Sequence, residues 1–261
     1  MQILSFKVRG KFAHFRKYYA NNTAFSFSIP PRTTLCGMLA AYMGISKDKY
    51  YDDFQENSIG LGVRVLNPIK KSFHKVNYLR VVSVGDLAKK WKSDLRGDAG
   101  RIQTPFEIIT PIDLRSGEVA YQVFIKAGDD LALFRKVKHA LMNEKAVFNP
   151  CLGAANMNAQ FYGVELHEAE EAEVNDFLDL HSATPTEHVE KLHFEEGSDD
   201  YSHVEEDLFP GSFLADGNRE LASMNRLLFS TTDKALKVKL HQPFWKLKSG
   251  GKTLNIKFIE K

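Results

Sequence analysis

At 261 residues, 43% hydrophobic and 26% charged, the chain has the make-up of one large globular domain or a domain with a smaller partner, which excludes a peptide hormone. Two cysteines, Cys36 and Cys151, exclude a disulfide-stapled scaffold and a four-thiolate metal site, so a reducing cytoplasmic setting is expected. The formal charge of +2 hides a segregation: residues 165–207 hold sixteen Asp or Glu against the single base Lys191, which leaves the remainder at +17, the footprint of a nucleic-acid binder.

The first strand is expected at Ile3 to Arg9, where Leu4, Phe6 and Val8 alternate with Ser5, Lys7 and Arg9. From Met1 to Arg32 there are six bases and no acid, interleaved with Phe12, His14, Phe15, Tyr18, Tyr19, Phe25 and Phe27. Cations that neutralise phosphate beside rings that stack on bases suit single-stranded nucleic acid. Pro30-Pro31 stops strand pairing, and Thr33 or Thr34 is placed to cap a helix carrying Leu35, Met38, Leu39, Tyr42 and Met43 on one face and ending at Gly44. The longest apolar run, Leu35 to Ile45, is too short to span a bilayer, and the N-terminal residues show no signal pattern, so a soluble chain without membrane contact is expected.

Strands follow at Ile59 to Val65 and Val119 to Ile125, then a helix from Asp129-Asp130 with Leu133, Phe134, Val137 and Leu141 on its stripe, then a strand at Phe161 to Leu166. The order strand, helix, strand, strand, helix, strand predicts an α+β, ferredoxin-like (RRM-like) domain over residues 1–165 whose sheet keeps one face free for RNA. The excursion 67–118 is too long for a plain loop and is expected as an inserted ribbon or thumb. Its basic finger carries Lys89, Lys90, Trp91, Lys92, Arg96 and Arg101. Residues 166–209 read as an acidic connector, and 210–261 as a small β-rich domain of two ribbons, Asn225 to Leu240 and Phe244 to Ile259 around Ser249-Gly250-Gly251-Lys252. Five histidines at 167, 181, 188, 193 and 203 fit no metal-ligand spacing, so neither metal nor cofactor is expected.

KFAHFRKYYANNTAFSFSIPPRTTLCGMLAAYMGI (11–45) and NPCLGAANMNAQF (149–161) resemble the signature segments of the CRISPR-associated RAMP proteins, specifically the type I-B-like Cascade subunit that caps the 5′ handle of the guide RNA (crRNA). The likeness rests on Pro31, Thr33, Thr34 and Gly37 and covers residues 1 to about 163. It implies a non-catalytic RNA-binding subunit of a surveillance complex in antiviral defence, partnered by crRNA, by the Cascade backbone and large subunits, and by target DNA near the protospacer-adjacent motif. In that reading Arg9, Lys11, Arg16, Lys17 and Arg32 contact phosphates, and Thr33 and Thr34 donate at the helix N-terminus. His14, Tyr18 or Phe25 stack on bases, and Asn156 and Asn158 meet base edges or a 2′-hydroxyl. The competing role for His14 and Thr33 is hydrogen bonding within their own turn.

Some type I-C relatives cut repeat RNA without metal, using histidine, lysine and tyrosine. The matching group here is His74 and Lys75 with Tyr42 or Tyr78, but neighbours on a strand point to opposite faces and do not converge on one phosphate.

Overall fold

Strand β1 (Gln2–Gly10) buries Leu4, Phe6 and Val8 completely, as its alternation requires. The computed structural model describes residues 1–20, 23–79, 101–115, 117–194, 200–214 and 219–260. After β1 a two-residue pair, β2 (Phe15–Arg16) and β3 (Ser26–Phe27), leads through Pro30-Pro31 into helix α1 (Arg32–Tyr42). Next come β4 (Ile59–Val65), the ribbon β5 (Ile69–Leu79) and β6 (Arg101–Pro111), and β7 (Val119–Ala127). Helix α2 (Leu131–Met142) follows, capped by Asp130 accepting from the Ala132 and Leu133 N–H groups at 2.9 Å, and buries Leu133, Phe134, Val137 and Leu141 as one stripe. Strand β8 (Ala159–Ala172) then pairs with β1.

The remaining strands are β9 (Leu178–Leu180), β10 (Thr184–Pro185), β11 (Val189–Leu192), β12 (Val204–Phe213), β13 (Leu221–Ser230), β14 (Leu236–Leu240), β15 (Phe244–Ser249) and β16 (Lys252–Ile256). The molecule is α+β and mostly strand, built on a six-stranded antiparallel sheet ordered β16-β15-β8-β1-β7-β4. The sheet curls. Residues beyond β16 return to its far edge, where Ile259 N–H donates to Leu61 O at 2.8 Å and Glu260 accepts from Leu61 N–H. No helix among the described residues is long and apolar enough to cross a membrane.

This closure overturns the expectation of a free sheet face. Ile3 and Phe124, on the side away from the helices, are fully buried with Leu247, Leu254, Ile256 and Phe258. Residues 210–261 therefore do not form a separate unit. β15 and β16 extend the main sheet, and Phe209, Leu227, Phe229 and Ile259 belong to the principal core. Of the two expected ribbons, only Phe244 to Ile256 exists. The strands within 225–240 diverge, β13 pairing with β10 and β12 while β14 pairs with β9 and β11.

Nor is 166–209 a connector. It supplies the end of β8, β9, β10, β11 and most of β12, because Leu180, Ala183 and Thr184 are buried and its acids have basic partners elsewhere in the chain. Lys17 pairs with Asp207 at 2.5 Å, Lys71 with Glu205 at 3.4 Å, Arg226 with Glu206 at 3.1 Å and Lys239 with Glu190 at 3.0 Å. Charge segregated in the sequence is partly neutralised in the fold. Its histidines hold backbone together: His167 Nδ1–H donates to Lys248 O at 2.8 Å, and His181 Nδ1 accepts from Asn255 N–H at 3.2 Å.

Candidate nucleic-acid interface

Beyond β1 the chain crosses the base of the β5–β6 ribbon, where Ala13 and Ile109 exchange backbone hydrogen bonds of 3.1 and 2.8 Å. His14 N–H then donates to Leu152 O at 3.0 Å, joining this crossing to the loop after α2. Gly153, at φ +90°, makes the junction possible: a Cβ there would lie 1.9 Å from the His14 carbonyl oxygen. Gly37 performs a similar service on α1, leaving room for the Tyr50 hydroxyl, which would lie 2.9 Å from an added Cβ.

These approaches enclose an open cleft of about 760 Å³. One wall is His14, Phe15, Arg16 and Tyr18; the second is the outer face of α1, Thr33, Thr34, Gly37, Met38 and Ala41. Asn149, Pro150, Cys151, Gly153 and Ala154 close a third side, and Tyr78 and Phe106 of the ribbon a fourth. Tyr50, Tyr51, Phe213 and Arg219 complete it. The two signature segments, 11–45 and 149–161, thus meet across one space.

The cleft combines aromatic planes with two arginines, Arg16 and Arg219, and the first turn of α1. Tyr18 is half exposed, edge-on to Tyr19 with centroids 5.0 Å apart, and Tyr50 meets Tyr51 at 4.8 Å. Arg16 is exposed and donates to Ala20 O at 3.1 Å, which leaves guanidinium N–H groups for an anion. Arg219 bonds Asp48 at 2.9 Å and Tyr51 Oη at 3.1 Å, and its hydrogen bond to Asp48 is the main cause of its raised pKa. The first turn of α1, with Pro31 as an N-cap that offers no side-chain acceptor, adds the positive end of the helix dipole. Chemically, such a surface can hold phosphates and stack splayed bases. Among the described residues no three His, Cys, Asp or Glu are grouped to hold a metal.

Several expected contact residues are used otherwise. Arg32 is 2% exposed and points inward, bonding Glu260 at 2.7 Å and the carbonyls of Phe54 and Gln55 at 2.8 Å, so it does not reach a phosphate. Lys17 is spent on Asp207, within 5.3 Å of the Phe27 ring centre; burial is the largest single influence on its pKa and lowers it, but the hydrogen bonds and charges of Asp207 and Tyr19 together raise it. His14 cannot stack on a base, because its ring is buried against Phe106 with centroids 3.9 Å apart. Arg9 lies outside the cleft over the Tyr162 ring and bonds Gln160, while Lys11 caps the carbonyls of Arg115 and Gly117. Asn156 and Asn158 are exposed but do not line the cleft, whereas Asn149 of the same segment does. Phe25 is edge-on to Phe73, off the cleft.

Of the His74, Lys75, Tyr42 and Tyr78 group, only Tyr78 lines the cleft. Tyr42 is buried on Phe161 at 5.0 Å. His74 and Lys75 are exposed neighbours on β5, opposite Phe106 and Pro105, and their side chains leave the ribbon on opposite faces. Lys89, Lys90, Trp91, Lys92 and Arg96, and the side chain of Arg101, lie outside the described residues. Sequence reasoning missed Tyr50, Tyr51, Phe106, Phe213 and Arg219, since nothing local marks residues brought in from four distant elements.

Two histidines, the buried His14 and the part-buried His181, give the fold an acid limit. Burial is the main cause of the lowered pKa values of His14 and His181, with Arg16 and Arg64 adding repulsion. The unfolded chain takes up these protons below about pH 6.5 and the folded chain resists them, so stability is intact above that pH and falls as the pH drops through the lowered folded values. Urea midpoints at pH 7.5 and 5.0 are expected to fall with pH, and less steeply in His14→Asn. An identical slope in that variant would remove His14 from the cause.

Residues 3–216 match the family model described as CRISPR-associated protein (Cas_Cas5). No curated protein sequence matches the chain. Among solved structures, a CRISPR protein from Archaeoglobus fulgidus is similar over 98% of both chains at 12% identity, with a TM-score of 0.53. A chain of a CRISPR RNA-guided surveillance complex is similar over 92% of this chain and 91% of its own at 15% identity, with a TM-score of 0.49.

Proposed function

The chain belongs to the CRISPR-associated Cas5 family, and from that premise we propose that it is a non-catalytic, guide-RNA-binding subunit of a CRISPR effector complex whose cleft takes the 5′ handle of the crRNA. The observation that carries this reading is the meeting of the two signature segments around one open, aromatic and positively charged space. Single-stranded RNA needs what is gathered there: rings for unstacked bases, and a guanidinium and a helix N-terminus for phosphates. The strand order β8-β1-β7-β4, with α1 after the first strand and α2 after the third, supports a ferredoxin-like domain, closed in this chain by β15 and β16.

In this reading the β5–β6 ribbon is the thumb that reaches the backbone and large subunits, and the basic side chains of 89–101, which lie outside the described residues, are assigned by their charge to target DNA near the protospacer-adjacent motif. The scatter of His74, Lys75 and Tyr42 supports a binding role over metal-independent cleavage of repeat RNA. Labelled repeat-derived RNA mixed with the protein in EDTA is expected to be retarded on native gels and intact on denaturing gels. Specific cleavage in EDTA would make the chain an endoribonuclease instead. Arg16→Ala is expected to weaken binding roughly three- to tenfold, as loss of one charge-assisted contact does, and to reduce the slope of affinity against salt. Unchanged affinity and slope would remove the RNA from this cleft.

A further inference from the structure

The His14 wall of the cleft holds a polar atom that the described residues leave unanswered. His14 is 5% exposed, and its Nδ1 lies 2.7 Å from the carbonyl oxygen of Glu107. A carbonyl has no proton to give, so Nδ1 carries the proton and donates it. The neutral ring then presents Nε2 as a lone-pair acceptor. Burial lowers the pKa of His14, and Arg16 adds repulsion, so the ring stays neutral near pH 7. Nε2 is buried and finds no hydrogen-bond partner among the described residues. Buried acceptors without partners are rare in folded proteins and cost free energy.

The ring is held where it stands. Phe106 packs on it at 3.9 Å between centroids, the His14 backbone is tied to Leu152, and the Glu107 carboxylate accepts from Ser26 N–H at 2.7 Å, fixing the strand that bears the Glu107 carbonyl. An acceptor held this rigidly discriminates. It rejects phosphate oxygens, which have only lone pairs to offer, and selects an O–H or N–H group that displaces the side chains covering Nε2. Phosphates belong elsewhere in the same cleft, at Arg16 and beside Thr33 and Thr34 in the first turn of α1.

We propose that His14 is a specificity-determining residue of the cleft, its Nε2 accepting a hydrogen bond from one nucleotide of the bound RNA, through a ribose 2′-hydroxyl or a base amine. The assignment rests on the RNA-binding reading above and adds which chemical group is read and by which atom. A 2′-hydroxyl donor makes His14 part of the distinction between RNA and DNA; an amine donor makes it a reader of adenine, cytosine or guanine at that nucleotide.

The test uses the full chain and labelled repeat-derived RNA in two series, one with single 2′-deoxy substitutions and one with single bases lacking their exocyclic amine. Each is measured against wild type, His14→Asn and His14→Gln. Asparagine keeps a donor for the Glu107 carbonyl and deletes the distal acceptor, while glutamine retains an acceptor at about the Nε2 position. One substitution is expected to weaken wild-type binding about five- to tenfold, as loss of one buried hydrogen bond does. The same substitution should have no effect in His14→Asn and an intermediate effect in His14→Gln. The series in which the sensitive position falls identifies the donor as sugar or base. Wild type that is indifferent to every substitution in both series overturns the proposal, and that result does not depend on how the variants fold. So does a sensitive position whose loss is undiminished in a folded His14→Asn. If Arg16→Ala still weakens binding in either case, the RNA-binding cleft stands without His14 as its reader. Failure of wild type to bind the RNA at all overturns both.

Discussion

Replacing Arg32 by leucine is expected to lower the free energy of unfolding by about 3 to 5 kcal/mol, the loss that follows when one partner of a buried ion pair is removed. Its guanidinium is the largest of the nearly inaccessible side chains. It donates to Glu260 at 2.7 Å, to Phe54 and Gln55 carbonyls at 2.8 Å and to Ile59 O at 3.1 Å. Without it Glu260 stays buried with only backbone donors such as the Leu61 N–H, and the carbonyls of Phe54, Gln55, Ile59 and Gly211 lose this donor. The pair also carries the closure of the sheet, since Glu260 belongs to the segment that runs back from β16 to β4. Arg32→Lys is expected to recover little, because a point charge cannot reproduce a fork that serves one carboxylate and four carbonyls. Urea titration followed by circular dichroism measures both variants. A loss below about 1 kcal/mol for Arg32→Leu would mean that the guanidinium is free to serve RNA after all.

Gly153→Ala is expected to damage fold and cleft together. At φ +90° any side chain is strained, and here the added Cβ would sit 1.9 Å from a backbone oxygen that cannot swing aside. Strain of about 1 to 3 kcal/mol and overpacking of similar size give an expected loss of about 2 to 4 kcal/mol once the loop has partly relaxed. The relaxation must separate His14 from Leu152, so RNA affinity should fall well beyond the effect of instability alone. Gly250→Ala is the control. Its φ is +56° with nothing within 4 Å of the added Cβ, so it should cost about 1 kcal/mol and leave RNA binding unchanged. Equal losses at the two glycines, or full RNA affinity in folded Gly153→Ala, would show that the junction does not shape the cleft.

These expectations differ in how far the sequence foretells them. Six elements, β1, α1, β4, β7, α2 and β8, are legible because each carries its own period or punctuation: alternation in Leu4, Phe6 and Val8, a helical stripe in Leu133, Phe134, Val137 and Leu141, and breaks at Pro30-Pro31 and Asp130. The hairpin of β15 and β16 is legible for the same reason, from Gly250 and Gly251 at its turn, both at positive φ. Arg16, Tyr18, Thr33 and Thr34 are legible as cleft residues because they cluster within one basic, aromatic, acid-free segment.

Where a side chain goes within its neighbourhood is a different matter. Arg32 and Arg16 lie in the same acid-free stretch and have the same chemistry, yet one is locked inward by a glutamate 228 residues away and the other opens on the cleft. Lys17 finds Asp207, and the acidic stretch that reads as a solvated connector becomes strand, with Leu180 and Ala183 buried and Glu190, Glu205, Glu206 and Asp207 paired with distant bases. Tyr50, Tyr51, Phe213 and Arg219 reach the cleft from separate elements. The sequence by itself determined six elements from β1 to β8, the hairpin of β15 and β16, and the two segments that line the cleft, since periodicity, capping and composition are local. Only the tertiary structure decided which cations remain free, which sheet face is covered and where His14 Nε2 stands, because burial and pairing depend on partners that the chain brings together only by folding.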